Sequence, residues 1–445
     1  MKKITNKILW IFAVGQFGWS LLSGIITNWL VYYYTDETAG IFGQHITTGT
    51  LFLSITLFGL ITMVGRIFDA VTDPLIANWS DRSNFKGGRR IPFMKAIAIP
   101  FAAITAGVFF LPQTGSILVN DILVFVTLML FYLFMTIYCT PYNALISELG
   151  NDQKNRINVS TYISFTYIMG LSISFLIPNL AGMLEGSLGK ADSVRAAIGV
   201  MCVVAAVAMI VPALLIHERE YIESKPAQTN AMSSLFKSFQ NPQFVRFVLS
   251  DVIYFFAVTL FQTGLPFYET KLMEVPDTYT FMLTVIMTLV SLSLYPAVNK
   301  LAPRFGKKKL IVVGFFAYSL VFLLASICGR GLAWGFAIAI CAGVPMAILG
   351  ILPQAVVADI AEADAYETGE ERSGMFFAAR TFAMKMGQAI SMLVFTSVVA
   401  MFAGSTFGYR LTAIIATVCC VAGAVLFFFY NEKLIMGKLL EKNGK

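Results

Sequence analysis

The sequence predicts an all-α protein that crosses a membrane many times, and two observations lead to this fold class. Hydrophobic residues make up 57% of the 445-residue chain and charged residues only 13%, whereas soluble domains carry about 25% charged residues. The apolar residues are gathered in long runs, and a helix needs about 20 such residues to cross the hydrocarbon core. The net charge of +7 therefore reflects where cations sit around a membrane, and we expect no nucleic-acid partner.

Twelve apolar runs follow one another, and each is expected to form one transmembrane helix. They lie at residues 8–34, 49–78, 91–112, 119–147, 158–184, 193–216, 243–268, 278–302, 308–328, 332–358, 373–402 and 408–430. The widest polar gap separates the sixth run from the seventh. The sequence thus predicts an N-terminal six-helix bundle at 1–217, a cytoplasmic linker at 218–242 and a C-terminal six-helix bundle at 243–445.

The placement of Lys and Arg predicts the orientation of these spans. Most of the 32 cationic residues fall on the cytoplasmic side if the N-terminus is cytoplasmic, as the positive-inside rule requires. The first run follows Lys2, Lys3 and Lys7 and contains no small-residue cleavage site, so it is expected to remain as the first helix. We therefore expect a multi-pass protein of the plasma (inner) membrane with both termini in the cytoplasm.

The two halves of the chain resemble each other at short segments in matching positions. Ala144–Leu149 ends the fourth run and Ala355–Ile360 ends the tenth, each with an acidic residue in the fifth place. Gly88–Arg90 follows the second run, and Gly306–Lys309 follows the eighth. This matching favours a parallel repeat, which is the arrangement of major facilitator transporters.

Three charges inside the second run are the most informative functional feature of the sequence. Each of Arg66, Asp69 and Asp73 costs about 2.5–3.5 kcal/mol within a membrane span, so such charges usually bind or move something. The two aspartates are four residues apart and share one face of a helix. Carboxylate oxygens suit a hard cation, and a carboxylate in a low dielectric also takes up protons. The trio predicts a sodium or proton site, with a structural ion pair to Arg66 or Lys385 as the alternative.

Lys385 lies deep in the eleventh run and needs an acidic partner, because it is too far from either interface to snorkel. Asp69 and Asp251 are the candidates at similar depth. Lys385 is expected either to balance charge at the cation site or to form a permanent salt bridge. Four further charges at the cytoplasmic ends of spans predict either a cytoplasmic gate or a solvated rim: Glu148, Asp359, Asp364 and Arg372.

Evidence for chemistry other than transport is weak. The sequence has no metal-ligand cluster, no Gly-rich phosphate loop and no nucleophile motif, so we expect no enzyme activity and no cofactor. Trp19 in the first run is a candidate for stacking against a sugar.

With these residues described, the chain resembles the glycoside–pentoside–hexuronide:cation symporters of the major facilitator superfamily. The segments that carry the resemblance are Tyr32–Asp36, Arg66–Ala70 with Asp73-Pro74, Pro141-Tyr142, Thr368–Glu370, and Thr381 with Lys385. The resemblance implies that Asp69, Asp73, Thr72 and Thr136 bind the cation. It also implies that Lys385 and Arg66 balance charge and that Thr381 contacts substrate. The positions that match other sugar contacts of the family hold Ser20, Cys139 and Asn143, which lack the carboxylates that hold a galactoside.

The function implied by this resemblance is symport of a glycoside, pentoside or hexuronide with Na⁺ or H⁺, by alternating access and as a monomer. A lysolipid transporter of vertebrates shares the motif of the second run, so symport of an amphiphile is an alternative. A membrane sensor that has lost transport is the alternative from a different class.

Overall fold

The structure, a computed structural model, describes residues 3–35, 42, 46–47, 50–52, 55–83, 85, 87–111, 115–149, 153–221, 237–369 and 373–443. Nearly all of these residues are helical. The helices, in chain order, are α1 Asn6–Thr35, α2 Leu57–Arg82, α3 Ile91–Phe109, α4 Ile117–Leu149, α5 Gln153–Ser174, α6 Ile177–Leu188, α7 Lys190–Leu215, α8 Glu218–Tyr221, α9 Pro242–Phe267, α10 Thr280–Phe305, α11 Lys307–Ile327, α12 Leu332–Thr368, α13 Ser373–Met401, α14 Phe407–Phe427 and α15 Glu432–Asn443. Strands β1 (Thr50–Phe52) and β2 (Ile55–Thr56) pair antiparallel before α2.

The chain divides into two compact units. The first comprises the described residues of Met1–Gly49 and Val64–Thr229, and the second those of Thr50–Met63 and Asn230–Lys445. In the first unit, α1 packs against α5 and α7, and α3 packs against α4 and α7. In the second unit, α9 packs against α13 and α14, and α12 packs against α10 and α11.

The start of α2 belongs to the second unit, although it was predicted to lie in the N-terminal bundle. Strand β2 packs against α13, where the Thr56 hydroxyl donates a hydrogen bond of 2.8 Å to that of Thr396. The predicted helix start near residue 49 is wrong, because strands β1 and β2 precede α2, which begins at Leu57. The β-branched residues Thr50, Ile55 and Thr56 favour extended backbone.

Eleven helical segments of the described chain are long and apolar enough to cross a membrane. The remaining predicted span is α2, whose charges at Arg66, Asp69 and Asp73 set it apart by composition. The predicted fifth span is divided into α5, which ends at Ser174, and α6, which begins at Ile177. Pro178 has no N–H to donate to the carbonyl of Ser174, four residues before it, so the helical hydrogen bonds are interrupted there. The predicted tenth span is too short: α12 runs ten residues further and ends at Gly369, whose φ of 71° is left-handed.

A buried carboxylate holds the start of α3 in the first unit. Arg90 at the N-cap supplies no side-chain cap, and Glu218 instead accepts hydrogen bonds from the backbone N–H groups of Arg89, Arg90 and Ile91 at 2.8, 2.8 and 2.9 Å. Gly88 has a φ of 121°, and a Cβ atom there would collide with the Glu218 carboxylate. The carboxylate therefore satisfies backbone donors that every helix start leaves unpaired.

The same arrangement recurs in the second unit at the start of α11. Glu432 accepts hydrogen bonds from the N–H groups of Lys307 and Lys308 at 2.7 and 3.2 Å. Gly306 has a φ of 88°, and a Cβ atom there would lie 2.8 Å from Glu432 Oε2. The segments Gly88–Arg90 and Gly306–Lys308 thus have the same local construction, and the acids that complete it, Glu218 and Glu432, were not identified from the sequence.

Replacing Glu218 tests this capping. We expect Glu218→Ala to lower the free energy of unfolding by about 1.5–3 kcal/mol, the usual contribution of hydrogen bonds to a charged group. Glu432→Ala should cost less, because Glu432 is half-buried and caps two N–H groups instead of three. Thermal unfolding of the detergent-solubilised protein measures both changes. The exposed Glu185 is the control, and a Glu218 variant that unfolds at the same temperature as Glu185→Ala would contradict the proposed cap.

Candidate functional site

Two aspartates on α2 face two threonines on α4 in the first unit, as two matched pairs. The Thr136 hydroxyl donates a hydrogen bond of 2.9 Å to Asp69 Oδ1, and the Asp69 side chain is fully buried. One turn further along both helices, the Thr140 hydroxyl donates a longer bond of 3.4 Å to Asp73 Oδ1. Because each pair repeats at a spacing of four residues, both aspartates lie on the face of α2 that meets the hydroxyl row of α4.

Thr72 adds a third hydroxyl to this group. Its Oγ1 donates to the backbone oxygens of Phe68 and Asp69 at 2.9 and 3.1 Å, and lies 3.3 Å from Thr136 Oγ1. The structure therefore brings together the cation ligands that the family resemblance implies, Asp69, Thr72, Asp73 and Thr136. Thr140 was missed, although its position four residues after Thr136 was available in the sequence.

The aromatic ring of Tyr132 on α4 packs against α2 one turn before Asp69. A Cβ atom at Gly65 would lie 2.5 Å from the ring of Tyr132, so the absence of a side chain at 65 leaves room for that ring. Tyr132, Thr136 and Thr140 recur every four residues and line one face of α4. The Tyr132 ring thus covers one end of the group of oxygen ligands.

Arg66 is buried beside this group. Its Nη2 donates a hydrogen bond of 2.8 Å to the Thr27 hydroxyl on α1, and its guanidinium carbon lies 5.4 Å from the centre of the Tyr132 ring. A cation over an aromatic face is attracted by the ring quadrupole. Arg66 is thereby oriented by α1 and α4 and supplies a fixed positive charge on the same side of α2 as Asp69.

The chemistry of this site follows from its donor atoms. Two carboxylates and three hydroxyls are hard oxygen ligands, which suit Na⁺ and other hard cations. Asp69 is the more buried acid, whereas Asp73 is half-buried. The oxygen atoms gathered around Asp69 are therefore of the kind that a small, hard cation prefers.

The substrate candidates of the first unit occupy different surroundings. Ser20 is fully buried and packs against Gly170 in the contact between α1 and α5. Trp19 is half-buried, with its ring 5.6 Å from that of Tyr167, and among the described residues its Nε1 has no hydrogen-bond acceptor. Cys139 is half-buried and Asn143 is exposed. Both lie on α4 near the face that carries Thr136 and Thr140.

One of the two predicted partners of Lys385, Asp251 in the second unit, requires a correction. Asp251 on α9 is engaged by Arg380, which donates from Nε at 2.7 Å and from Nη2 at 3.1 Å. Both side chains are buried. A bidentate guanidinium occupies both carboxylate oxygens, so Asp251 is not the partner of Lys385. Arg380 was not identified from the sequence as a cation within a span.

Thr381 and Lys385 are on α13 of the second unit, one turn apart. Both are half-buried, and the Thr381 hydroxyl donates a 3.0 Å hydrogen bond to the Phe377 carbonyl of its own helix. This spacing puts both side chains on one face of α13. The Arg380–Asp251 pair is next to them in sequence and fixes that part of α13 against α9.

Two of the candidate gate residues, Glu148 and Asp359, form ion pairs with residues of the same unit. Glu148 lies 2.8 and 2.9 Å from the guanidinium groups of Arg89 and Arg90. Asp359 pairs with Lys307, and Asp364 accepts a 3.0 Å hydrogen bond from Asn241. Burial raises the pKa of the nearby Tyr430, and the charges of Asp359 and Glu432 act in the same direction. Arg372 lies outside the described residues.

Comparison with known proteins identifies the family of this chain. A family model described as MFS/sugar transport protein matches residues 11–432. The chain belongs to the MFS/sugar transport protein family. MFS/sugar transport proteins are membrane transporters, so the predicted family and fold are confirmed and the chain is not an enzyme.

Individual relatives of this MFS/sugar transport protein differ in what they carry. The isoprimeverose transporter of Lactiplantibacillus pentosus is 22% identical over 85% of this chain and 77% of its own. The sodium-dependent lysophosphatidylcholine symporter 1 of Xenopus tropicalis is 22% identical over 78% of this chain and 71% of its own. The crystal structure of a D-xylose-proton symporter matches with a TM-score of 0.72 over 97% of this chain and 99% of the other, at 13% identity, which shows a common fold.

Proposed function

We propose that this protein is a cation-coupled symporter that works by alternating access and takes Na⁺ or H⁺ as its coupling ion. The observation that carries the proposal is the fully buried Asp69, held by Thr136 at 2.9 Å within a group of oxygen ligands. Asp73, Thr72 and Thr136 complete the proposed cation site, and Arg66 and Lys385 balance its charge. Coupling requires that each ligand binds better when the other is present, typically by about 1–3 kcal/mol.

The proposed substrate is a glycoside, pentoside or hexuronide. The relative named an isoprimeverose transporter supports a sugar. Trp19, Ser20, Cys139, Asn143 and Thr381 are the proposed substrate contacts. Four of these five side chains are neutral polar groups or a thiol, so a sugar would be held by hydrogen bonds and ring stacking without a carboxylate from these positions.

Symport of an amphiphile is the second candidate function. It is favoured by the relative named a sodium-dependent lysophosphatidylcholine symporter. This function requires an apolar path for an acyl chain, whereas a sugar requires polar contacts throughout. A competition assay with lysophosphatidylcholine in the uptake experiment below distinguishes the two substrates.

The remaining proposals concern the setting of the protein. We propose a monomer in the plasma (inner) membrane with cytoplasmic termini and no nucleic-acid partner. The gate residues Glu148, Asp359, Asp364 and Arg372 are proposed to exchange ion pairs at the cytoplasmic side during transport.

Uptake into proteoliposomes tests the proposed function. Radiolabelled glycosides, pentosides and hexuronates are supplied one at a time, with an imposed Na⁺ gradient or pH gradient but never both. Accumulation above the external concentration under one of the two gradients supports symport and identifies the coupling ion. Equilibration of every solute at equal rates with and without gradients would overturn the proposal.

The hydroxyls of Thr136 and Thr140 should differ in their importance for cation binding. We expect Thr136→Val to weaken the apparent cation affinity about tenfold, which corresponds to about 1.4 kcal/mol. Thr140→Val should have a smaller effect, because its bond to Asp73 is longer and half-buried. Cation dependence of uptake measures both constants. Thr127→Val is the matched control, because the Thr127 hydroxyl bonds to the Leu123 carbonyl of its own helix. Equal apparent cation affinities in all three variants would show that the hydroxyls of Thr136 and Thr140 do not contribute to cation binding.

A further inference from the structure

A second buried acid, Glu269, lies far from α2 in sequence and is not used by the proposed cation site. It belongs to the π-helical turn Tyr268–Leu272 that ends α9 in the second unit. Its side chain is fully buried. The turn is at the predicted extracellular end of its span, opposite the end that begins at Asn241.

The polar contacts of Glu269 are few. The Thr280 hydroxyl, at the start of α10, donates a short hydrogen bond to Glu269 Oε2. Among the residues that the structure describes, Glu269 Oε1 has no hydrogen-bond partner although it is buried. The Glu269 backbone carbonyl accepts a 2.9 Å bond from Val275 N–H and so does not serve the side chain. One hydroxyl is a poor replacement for the water shell that an ionised carboxylate loses on burial.

The charged groups around Glu269 do not compensate a negative charge there. Asp277, on the adjoining turn Asp277–Tyr279, is a second acid and supplies no positive charge. Lys271 lies on the same turn and is half-buried. Arg330 is committed to Glu274 at 2.7 Å and is largely exposed. In the described part of the chain, no cation forms an ion pair with the Glu269 carboxyl.

Arg410 is a further cation of this region, and its guanidinium is hydrogen-bonded to backbone carbonyls. Its two terminal nitrogens donate to the carbonyls of Ser326 and Cys328 at 2.7 and 2.9 Å. The phenol of Tyr268 shares a 2.9 Å hydrogen bond with the hydroxyl of Thr412. The titratable neighbours of Glu269 therefore supply neither an ion pair nor a second hydrogen-bond donor.

Helix α10, whose Thr280 bonds to Glu269, carries a row of buried hydroxyl groups. Thr280, Thr284, Thr288 and Ser291 recur at helical spacing on α10, and all four are buried. In the described structure the Thr284 hydroxyl, one turn after Thr280, has no hydrogen-bond partner. Hydroxyls both donate and accept hydrogen bonds, so this row suits a neutral acid at its end and does not neutralise an anion.

We propose that Glu269 is a proton-binding site of the second unit, separate from the Asp69 site, which keeps its proton while buried and releases it when water reaches it. An isolated buried carboxylate is so costly that the group neutralises instead. Any conformation that admits water to Glu269 lets it ionise. The protein then has a closed conformation, in which Glu269 is buried, and an open one, in which water reaches Glu269. The pH of that water shifts the equilibrium between them, because protons bind the two conformations unequally.

Infrared spectroscopy of the purified protein tests this site without a substrate. A protonated carboxyl has a C=O stretching band that an ionised carboxylate lacks. We expect the wild type at neutral pH to show such a band and Glu269→Gln to lose it. Glu274→Gln, in which an exposed acid five residues along is replaced, should leave the band unchanged. Identical carboxyl bands in the wild type and in Glu269→Gln would overturn the proposal.

The pH dependence of stability is a second, independent readout. A Glu side chain of the unfolded chain is ionised at neutral pH, whereas the folded protein would hold a proton on Glu269. The folded state then binds more protons, so wild-type stability falls as the pH rises. We expect Glu269→Gln to unfold at the same temperature as the wild type in acid and at a progressively higher temperature as the pH rises. A temperature difference independent of pH would contradict the proton site.

Discussion

Asp69→Asn is expected to abolish cation-driven accumulation of substrate while leaving the protein folded. Asn has nearly the shape of Asp, and its side-chain oxygen still accepts the hydrogen bond from Thr136 that measures 2.9 Å in the wild type. It carries no charge for Na⁺ and has no site for a proton. The substitution therefore removes either coupling ion without removing the packing of the residue, and uptake in proteoliposomes should reach only the external concentration.

The size of this effect follows from where the charge lies. A charge within a membrane span costs about 2.5–3.5 kcal/mol, and Asp69 is fully buried within α2. Such a cost is offset when a cation binds, so the carboxylate is the part of the site that makes occupancy favourable. Asp73→Asn should reduce accumulation less, because Asp73 is half-buried and its hydroxyl bond is longer.

The control for this experiment is Asp121→Asn. Asp121 is also a buried acid that accepts hydrogen bonds from a threonine, Thr47, but it lies near the start of α4, away from the cation site. Normal accumulation by Asp121→Asn alongside none by Asp69→Asn supports the assignment. If Asp69→Asn concentrates substrate as well as the wild type, Asp69 is not the coupling site.

Arg380→Met is expected to be the most destabilising single substitution in the second unit. It leaves Asp251 buried without its bidentate partner, and removing one member of a buried ion pair typically costs about 3–5 kcal/mol. Arg380 also lies 5.7 Å from the ring centres of both Phe247 and Phe255. These rings and Asp251 recur every four residues along α9, so a single guanidinium holds three side chains of that helix.

A double substitution separates the cost of an unpaired charge from a requirement for the pair itself. Arg380→Met combined with Asp251→Leu removes both charges, and such replacements are often neutral or stabilising. We expect the double variant to recover most of the unfolding temperature that Arg380→Met loses. A double variant as unstable as the single one would show that the pair is needed for packing and not only for charge balance.

The surface pair Arg330–Glu274 is the control for these measurements. Its members are 80% and 52% exposed, whereas those of Arg380 and Asp251 are 8% and 5% exposed. Exposed pairs contribute only about 0.2–1 kcal/mol. Arg330→Ala should therefore leave the unfolding temperature almost unchanged, and a loss equal to that of Arg380→Met would contradict the role of burial.

The cation site shows how far reasoning from sequence extends. The spacing of Asp69 and Asp73 placed two carboxylates on one face of a helix, and the resemblance to symporters added Thr72 and Thr136. These side chains are indeed brought together. Thr140 was not found, because a threonine in a transmembrane helix usually bonds to its own backbone, and only the packing of α2 against α4 turns this one towards Asp73.

Charges at the ends and in the middle of spans were harder to assign. Asp69 and Asp251 were both candidate partners of Lys385 by depth, but depth along a helix does not specify the direction in which a side chain points. Arg380 is only five residues before Lys385, and it is the residue that points at α9 and pairs with Asp251. Glu218 and Glu432 were not identified from the sequence, because their partners are backbone N–H groups that have no signature there.

The sequence by itself determined the all-α membrane fold, the approximate position of the spans and the acidic pair on α2. Each of these follows from local properties, namely apolar length, helical periodicity and the cost of a charge in a bilayer. Only the tertiary structure decided that Thr140 faces Asp73, that Arg380 and not Lys385 binds Asp251, and that Glu269 is buried beside Thr280. These pairings depend on which faces of different helices meet, and contacts between residues distant in sequence are not encoded by the periodicity of either helix alone.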